Sequence, residues 1–378
     1  MMCTVAEYFA GIGLMRMGLE QAGWDVVFAN DISAKKFEMY RDFFPGNHEH
    51  YVLDDVFNLD PESIPFTTLA TCSFPCIDLS LAGNMQGIQG RHSSAFWGFI
   101  DILKAQGDNA PPLLLVENVM GWLHSNDGAD FTATIKALNA LGYACDVFTL
   151  DALHFTPQSR PRVFLIALRS DDDSSVGLMS ILRRPAVLLP KSLRKCLIMN
   201  TNLKWFYNPM PVPPPLRTDG LSGIVEDIPD TDTRWWTIQE TKRHLNMMSP
   251  KHRLRVYELI AKDEITYRTF YRRVRSGQQR AEVRNDDLSG CLRTAVGGSG
   301  KQFLIQAGHG SIRMRTMTSR EYARLQGVPD DYCIKLDGIQ ALTGFGDAVC
   351  VPAVRWIAEN ALLPLMSKRP MLSLELEA

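Results

Sequence analysis

Over the first 170 residues, short apolar, β-favouring runs alternate with stretches of helical spacing. Val5 to Phe9 predicts a buried strand, Ala10-Gly11-Ile12-Gly13 a turn, and Leu14, Met17, Gly18 and Ala22 a helix that Gly23 ends. Asp25 to Ala29 predicts the next strand, closing a strand–helix–strand unit at Asn30-Asp31. Tyr51 to Asp55, Phe66 to Thr71, Pro112 to Val116, Tyr143 to Leu150 and Val163 to Leu168 predict further strands, with helices over Phe96–Leu103 and Asp130–Leu141. Such alternation predicts a doubly wound α/β sheet, which binds ligands outside the carboxyl ends of its strands. Past Arg169 the pattern breaks. Asp171-Asp172-Asp173 is polar, Pro211 and Pro213 to Pro215 mark a stiff connection, and regular apolar spacing returns late, in a helix over Val351–Leu363.

Composition changes this picture in one place. The chain has 378 residues, 46% hydrophobic and 22% charged, with a net charge of −2, which suits two globular domains and says nothing of nucleic acid. Lys242 to Arg284, however, holds twelve Lys/Arg against four Asp/Glu, a local +8 interleaved with Tyr257, Tyr267, Phe270 and Tyr271. A solvated helix face usually balances its charges, so this segment reads as a footprint for a phosphate backbone, with Arg272, Arg273 and Arg275 as candidate DNA contacts. Eight scattered cysteines without a CxxC pair predict free thiols and no metal site. With no signal-peptide pattern and no apolar stretch of membrane-spanning length, a cytoplasmic chain without a membrane partner is expected.

Candidate chemistry gathers where the predicted strands end. Gly11 and Gly13 lack a Cβ and let a ligand approach the backbone. Arg16 stands where the dinucleotide fingerprint needs a third glycine, which disfavours a pyrophosphate and allows an adenosine ligand. Asp31 suits two ribose hydroxyls or, equally, the cap of a helix opening at Ile32. Asp55 suits an adenine amino group or a turn. Cys76 follows Pro75 just past the fourth strand, and Gly83, Gly87 and Gly90 punctuate the loop beyond it. Glu117 ends an all-apolar run, where a carboxylate is costly unless paired or protonated. Arg160 and Arg162 alternate before a strand and point to one side.

In order, the chain carries FAGIG at Phe9–Gly13, acids at Asp31 and Asp55, Pro75-Cys76, ENV at Glu117–Val119 and QSRPR at Gln158–Arg162. RTMTSREYARLQGVPDDY at Arg315–Tyr332 and GDAV at Gly346–Val349 follow. In identity, order and spacing these motifs resemble the cytosine-C5 DNA methyltransferases of prokaryotic or phage type. The resemblance implies a Rossmann-like methyltransferase sheet in residues 1–187 and 341–378, an inserted target-recognition domain in 188–312, and a supporting motif in 313–340. It implies S-adenosylmethionine as methyl donor, leaving as S-adenosylhomocysteine, in a pocket of Phe9, Gly11, Ile12, Gly13, Asp31, Ile32, Asp55, Val56, Pro75, Asp347 and Ala348. Cys76 is the implied nucleophile at cytosine C6, Glu117 the acid near N3, and Arg162 the clamp on O2. Arg160 would support the loop or phosphate nearby, and Ser80 and Arg91 would touch phosphates beside a flipped-out base. The expected partner is double-stranded DNA, with a separately encoded restriction endonuclease as companion and a monomeric enzyme. Three positions depart from the family pattern: Asp347 stands for Asn, Leu14 for Gly and Ile77 for Gln. Two alternatives are a tRNA cytosine-C5 methyltransferase, disfavoured by the long basic segment, and a non-catalytic DNA-binding relative, disfavoured because Cys76, Glu117 and Arg162 are all present.

Overall fold

A computed structural model describes residues 3–44, 46, 48–75, 95–169, 176–275, 277–295, 300–336 and 338–368. Cys76, Ser80 and Arg91 lie outside these. The chain runs β1 (Cys3–Tyr8), α1 (Leu14–Glu20), β2 (Trp24–Asp31), α2 (Ala34–Phe43), β3 (Tyr51–Leu53), β4 (Leu69–Cys72), α3 (Ala95–Gln106), β5 (Leu113–Val119), α4 (Ala129–Ala140), β6 (Tyr143–Asp151) and β7 (Pro161–Arg169). These strands form one seven-stranded sheet in the order β3-β2-β1-β4-β5-β7-β6. Pairing is parallel from β3 to β5, and β7 inserts antiparallel between β5 and β6. The β5 run Leu113 to Val116 is wholly buried, as expected for a central strand covered on both faces.

Pairing with β7 carries β5 beyond its apolar run. β4 last pairs with it at Cys72–Val116, but β7 continues to Val119, opposite Arg162. Glu117 is therefore inside a strand, where its neighbour on one side has already ended, and not in a turn after it.

After α5 (Val176–Ile181) and α6 (Lys191–Met199), the chain crosses to α7 (Ile238–Met247) and α8 (Pro250–Ile260). A four-stranded antiparallel sheet follows: β8 (Thr266–Arg275), β9 (Gln278–Val283), β10 (Phe303–Gly308) and β11 (Ser311–Thr316), in the order β11-β10-β8-β9. Its own core holds Met248, Val256, Phe270, Val283, Phe303 and Met314, with Trp236 against it. Leu193, Cys196, Leu197 and Trp205 pack into the core of the first unit, built on the first sheet, while α7, α8 and β8 to β11 form a second unit around their own core.

The chain then returns through α9 (Ser319–Leu325), α10 (Ile339–Asp347), α11 (Val351–Ile357), a π turn (Ala358–Leu362) and α12 (Leu363–Lys368). Thr318 caps α9 in a capping box with Glu321, whose carboxylate also pairs with Arg315 in full burial. The helical run Ile339–Ser367 is long and apolar enough to cross a membrane, unlike the sequence expectation. Its most apolar stretch is largely buried, and its Val351, Val354, Ile357 and Ala361 pack in the first core beside α1.

Candidate active site at the carboxyl edge of the first sheet

The Gly11–Gly13 turn joins β1 to α1, with Phe9, Gly11 and Gly13 all at positive φ (60°, 58° and 80°). The two glycines serve different ends. A Cβ on Gly13 would fall 2.4 Å from the Phe44 ring, so Gly13 lets α2 close on the turn. A Cβ on Gly11 would meet nothing nearer than 3.9 Å, so its free face is open for a ligand. Ile12 is 1% exposed and packs in the core, so only its main chain borders this space.

Asp31 ends β2 and is almost buried. One carboxylate oxygen accepts from Gly11 N at 2.9 Å and the other from Ser33 N at 2.8 Å. The cap of α2 is Ser33, whose Oγ accepts from Lys36 N, so Asp31 is not the helix cap. It ties the glycine turn to β2 and keeps unused lone pairs on both oxygens. Ile32 beside it is 67% exposed, an apolar side chain on the rim of a polar cleft. Asp55 caps a short 3₁₀ turn, accepting from Phe57 N at 3.2 Å, which is the turn role; its other oxygen takes no part in that bond. Val56 is buried against Gly98 and offers no free side chain. Deeper on β1, Glu7 is buried, and burial outweighs the pull of Arg16 to push its carboxyl up to about 8.

Across β4, Asn118 donates to Phe74 O at 3.2 Å and tethers β5 to the segment that leads to Pro75. Next to it, Glu117 Oε1 pairs with Arg162 Nε at 3.0 Å, with both side chains mostly buried. Burial raises the Glu117 pKa, and Arg162 and Arg160 pull it back only in part, so the carboxyl holds its proton above the usual range. A buried acid with a raised pKa beside a fixed guanidinium can donate a proton to a ring nitrogen while the cation holds the neighbouring oxygen.

Arg160 braces neighbouring main chain from within the fold. It is 2% exposed, and its guanidinium donates to the carbonyls of Leu292, Gly346 and Ala348. These bonds join β7 to the segment after β9 and to the end of α10, so Arg160 is a tie behind the site. Gln158 and Gln326 extend the tie: Gln158 Nε2 donates to Leu325 O and its Oε1 accepts from Leu292 N, while Gln326 Nε2 donates to Phe345 O. Gly346 must be a glycine here, because a Cβ would fall 2.2 Å from Arg293 O.

Asp347 explains its own departure from Asn. Its carboxylate accepts from Thr294 Oγ1 at 2.6 Å and pairs with Lys36 Nζ at 3.0 Å, joining α10, α2 and the loop before β10. An amide could make the first bond but not the ion pair. Ala348 contributes its carbonyl, which accepts from Arg160 and Gln326.

Sequence reasoning missed Cys291. Its Sγ accepts from Arg160 at 3.4 Å and from both terminal nitrogens of Arg162 at 3.8 Å, bracing the guanidinium that faces Glu117. Burial opposes its ionisation, but the combined field of Arg160, Arg162 and Arg293 outweighs that and lowers its pKa. No motif signals this thiol, because it lies some 130 residues from its partners.

The basic segment separates by face. On β8, Arg272 lies on the helix-covered side with its guanidinium 4.8 Å over the Phe303 ring. Arg273 and Arg275 project from the opposite side.

The family model of the C-5 cytosine-specific DNA methylase matches this chain over residues 3–362. The chain is 25% identical over 366 residues to the Type II methyltransferase M.Bsp6I of Bacillus sp. (strain RFL6), covering 95% of this chain and 98% of that one. It is 23% identical to the Type II methyltransferase M.HhaI of Haemophilus parahaemolyticus, covering 94% and 92%. Among solved structures, the S. pombe Dnmt2 methyltransferase superposes with a TM-score of 0.60 at 18% identity, over 97% of this chain and 99% of that one. The Entamoeba histolytica methyltransferase EhMeth gives 0.61 at 13% identity, over 97% and 99%. These structural likenesses concern the fold.

Proposed function

The chain belongs to the C-5 cytosine-specific DNA methylase family, and we propose that it methylates C5 of a cytosine in a specific duplex DNA sequence. One arrangement carries the reading: the Glu117–Arg162 pair sits where the carboxyl end of β5 meets the amino end of antiparallel β7, on the sheet edge that also bears the Gly11 turn and Asp31.

The cleft residues suit S-adenosylmethionine. Asp31 has lone pairs for ribose hydroxyls, Gly11 leaves its backbone open, and exposed Ile32 offers an apolar face to an adenine ring. When bound, this cofactor supplies an electrophilic methyl group. The chain's own residues prepare the cytosine. Cys76, assigned from its place after Pro75, adds its thiolate to C6, which makes C5 enamine-like and nucleophilic. Glu117 donates its proton toward N3 and so stabilises the charge that this addition sends into the ring. Arg162, held by Glu117 and Cys291, presents its guanidinium to O2 and keeps the ring in plane with the acid. After methyl transfer, loss of the C5 proton lets the Cys76 sulfur leave and restores the aromatic ring. The target base must leave the duplex to reach this depth, at a cost of a few kcal/mol.

The relatives named Type II methyltransferases support a role as the modification partner of a restriction endonuclease. The test is bisulfite sequencing of DNA from cells that express the chain, alongside purified DNA and tRNA incubated with labelled S-adenosylmethionine. Methylated cytosines in one DNA sequence context are expected, and Cys76→Ala should abolish transfer while DNA binding persists. Methylation of tRNA alone, or full activity in Cys76→Ala, would overturn the reading.

A further inference from the structure

Alternation along β8 divides its residues between two surroundings. Phe270 and Arg272 face the helices, where Phe270 packs among Trp236, His244 and Phe303. Tyr267, Thr269, Tyr271, Arg273 and Arg275 face the other way. On that side Leu304, opposite Thr269, is buried in the first sheet's core, and Tyr267 packs against the same core. This face therefore looks toward the first unit. Beyond the packed part it continues outward as Tyr271, Arg273 and Arg275. Arg293 lies within electrostatic range of Tyr271, two residues from the Cys291 that braces Arg162. The outer β8–β9 hairpin thus continues the face that packs on the first unit, on the side where Arg293 follows Cys291.

Its arginines are not equivalent. Glu282, opposite Tyr271 on β9, accepts from Tyr271 Oη at 2.7 Å with one oxygen. Its other oxygen takes Arg273 Nε at 2.6 Å and Nη2 at 2.6 Å. One edge of the Arg273 guanidinium is thereby held, and the outer N–H bonds of both terminal nitrogens remain directed away from the carboxylate. Arg275 approaches the same oxygen only at 3.6 Å, with its side chain 61% exposed. A phosphate contact needs charge but little orientation, whereas reading a base edge needs a planar fork in a fixed plane.

Resting on the functional reading above, we propose that Arg273 determines specificity: it donates end-on to the O6 and N7 of a guanine in the recognised sequence. Glu282 and Tyr271 are positioning residues for it, and Arg275 contacts phosphate. Ordering Arg273 before DNA arrives lowers the entropy lost on binding.

The test uses the full chain on a randomised duplex library, read by bisulfite sequencing, with rates measured at two salt concentrations. The unmodified chain should yield a consensus containing a guanine. In Arg273→Ala, discrimination at one guanine should fall roughly fivefold to a hundredfold while the other positions keep theirs. Arg273→Lys, which keeps the charge and loses the fork, should relax the same position with less loss of rate. Arg275→Ala should slow all sequences alike and reduce the salt slope by about one. An unchanged consensus in Arg273→Ala and Arg273→Lys, with uniformly slower methylation, would overturn the assignment and leave the enzyme's function standing. No methylation by the unmodified chain would overturn the functional reading itself and this assignment with it.

Discussion

Two of the glutamate–arginine pairs in the molecule stand in contrasting settings. At the floor of the first sheet, Glu117 and Arg162 have side chains 9% and 13% exposed. On the β8–β9 hairpin, Glu282 and Arg273 have side chains 19% and 36% exposed. Each glutamate is penalised by burial and relieved by its arginine. At Glu117 burial prevails and the pKa rises; at Glu282 the bonds from Arg273 and Tyr271 prevail and it falls. Burial thus lets the Glu117 carboxyl keep its proton to higher pH than an ordinary glutamate, while the Glu282 carboxyl stays charged to lower pH.

The largest effect should come from breaking the buried pair. Glu117→Gln should lower kcat by about a hundredfold to ten-thousandfold, because a positioned proton donor is lost. In the unmodified enzyme the rate should fall as pH rises through the raised Glu117 pKa, and this limb should vanish in Glu117→Gln. A kcat–pH series checks both, and an unimpaired variant would remove Glu117 from the chemistry. Stability should move in the same direction. Above the ordinary value of 4.5 the unfolded chain ionises first, the folded chain keeps its proton, and the contribution is lost as pH rises through the folded pKa.

A smaller effect is expected from the tie behind that pair. Arg160→Ala removes a donor from the carbonyls of Leu292 and Ala348 and strands that of Gly346 in a buried place, and stability should drop by about 3 kcal/mol in denaturant unfolding. Were Arg160 instead a substrate contact, activity would fall with the unfolding midpoint unchanged.

The smallest effect belongs to the exposed pair. Glu282→Gln should cost about 0.5 kcal/mol of stability, as is usual for ion pairs open to solvent. The sign of its pH dependence is opposite to that of Glu117: the contribution is present above the ordinary glutamate value and lost as pH falls through the lowered folded pKa. Acid-side unfolding curves of the variant and the unmodified chain should converge. A stability dependence that rose with pH at Glu117, or fell with pH at Glu282, would dissolve the contrast.

Much of the first unit was legible because its signals are local. Strand runs, the glycine turn and the acids at strand ends each occupy a few consecutive residues, and the sheet brings those ends to one edge. The strand limits were less legible: β7 pairing extends β5 through Glu117, and that partner lies some 45 residues away. The motif that starts at Arg315 was readable, but the burial of Arg315 against Glu321 was not. Arg160 and Arg162, two residues apart and alike in sequence, differ because one meets main-chain carbonyls of returning segments and the other meets Glu117.

By itself the sequence determined the α/β sheet, the order of the motifs and the presence of an acid, a thiol and paired arginines with the chemistry they permit. Periodicity and residue type suffice for that. Only the tertiary structure decided which arginine faces the acid, why Asp rather than Asn stands at 347, that Cys291 enters the site, and which face of β8 turns toward the first unit. Those outcomes depend on burial and on partners outside the local sequence pattern, and a side chain's protonation and orientation follow from its surroundings.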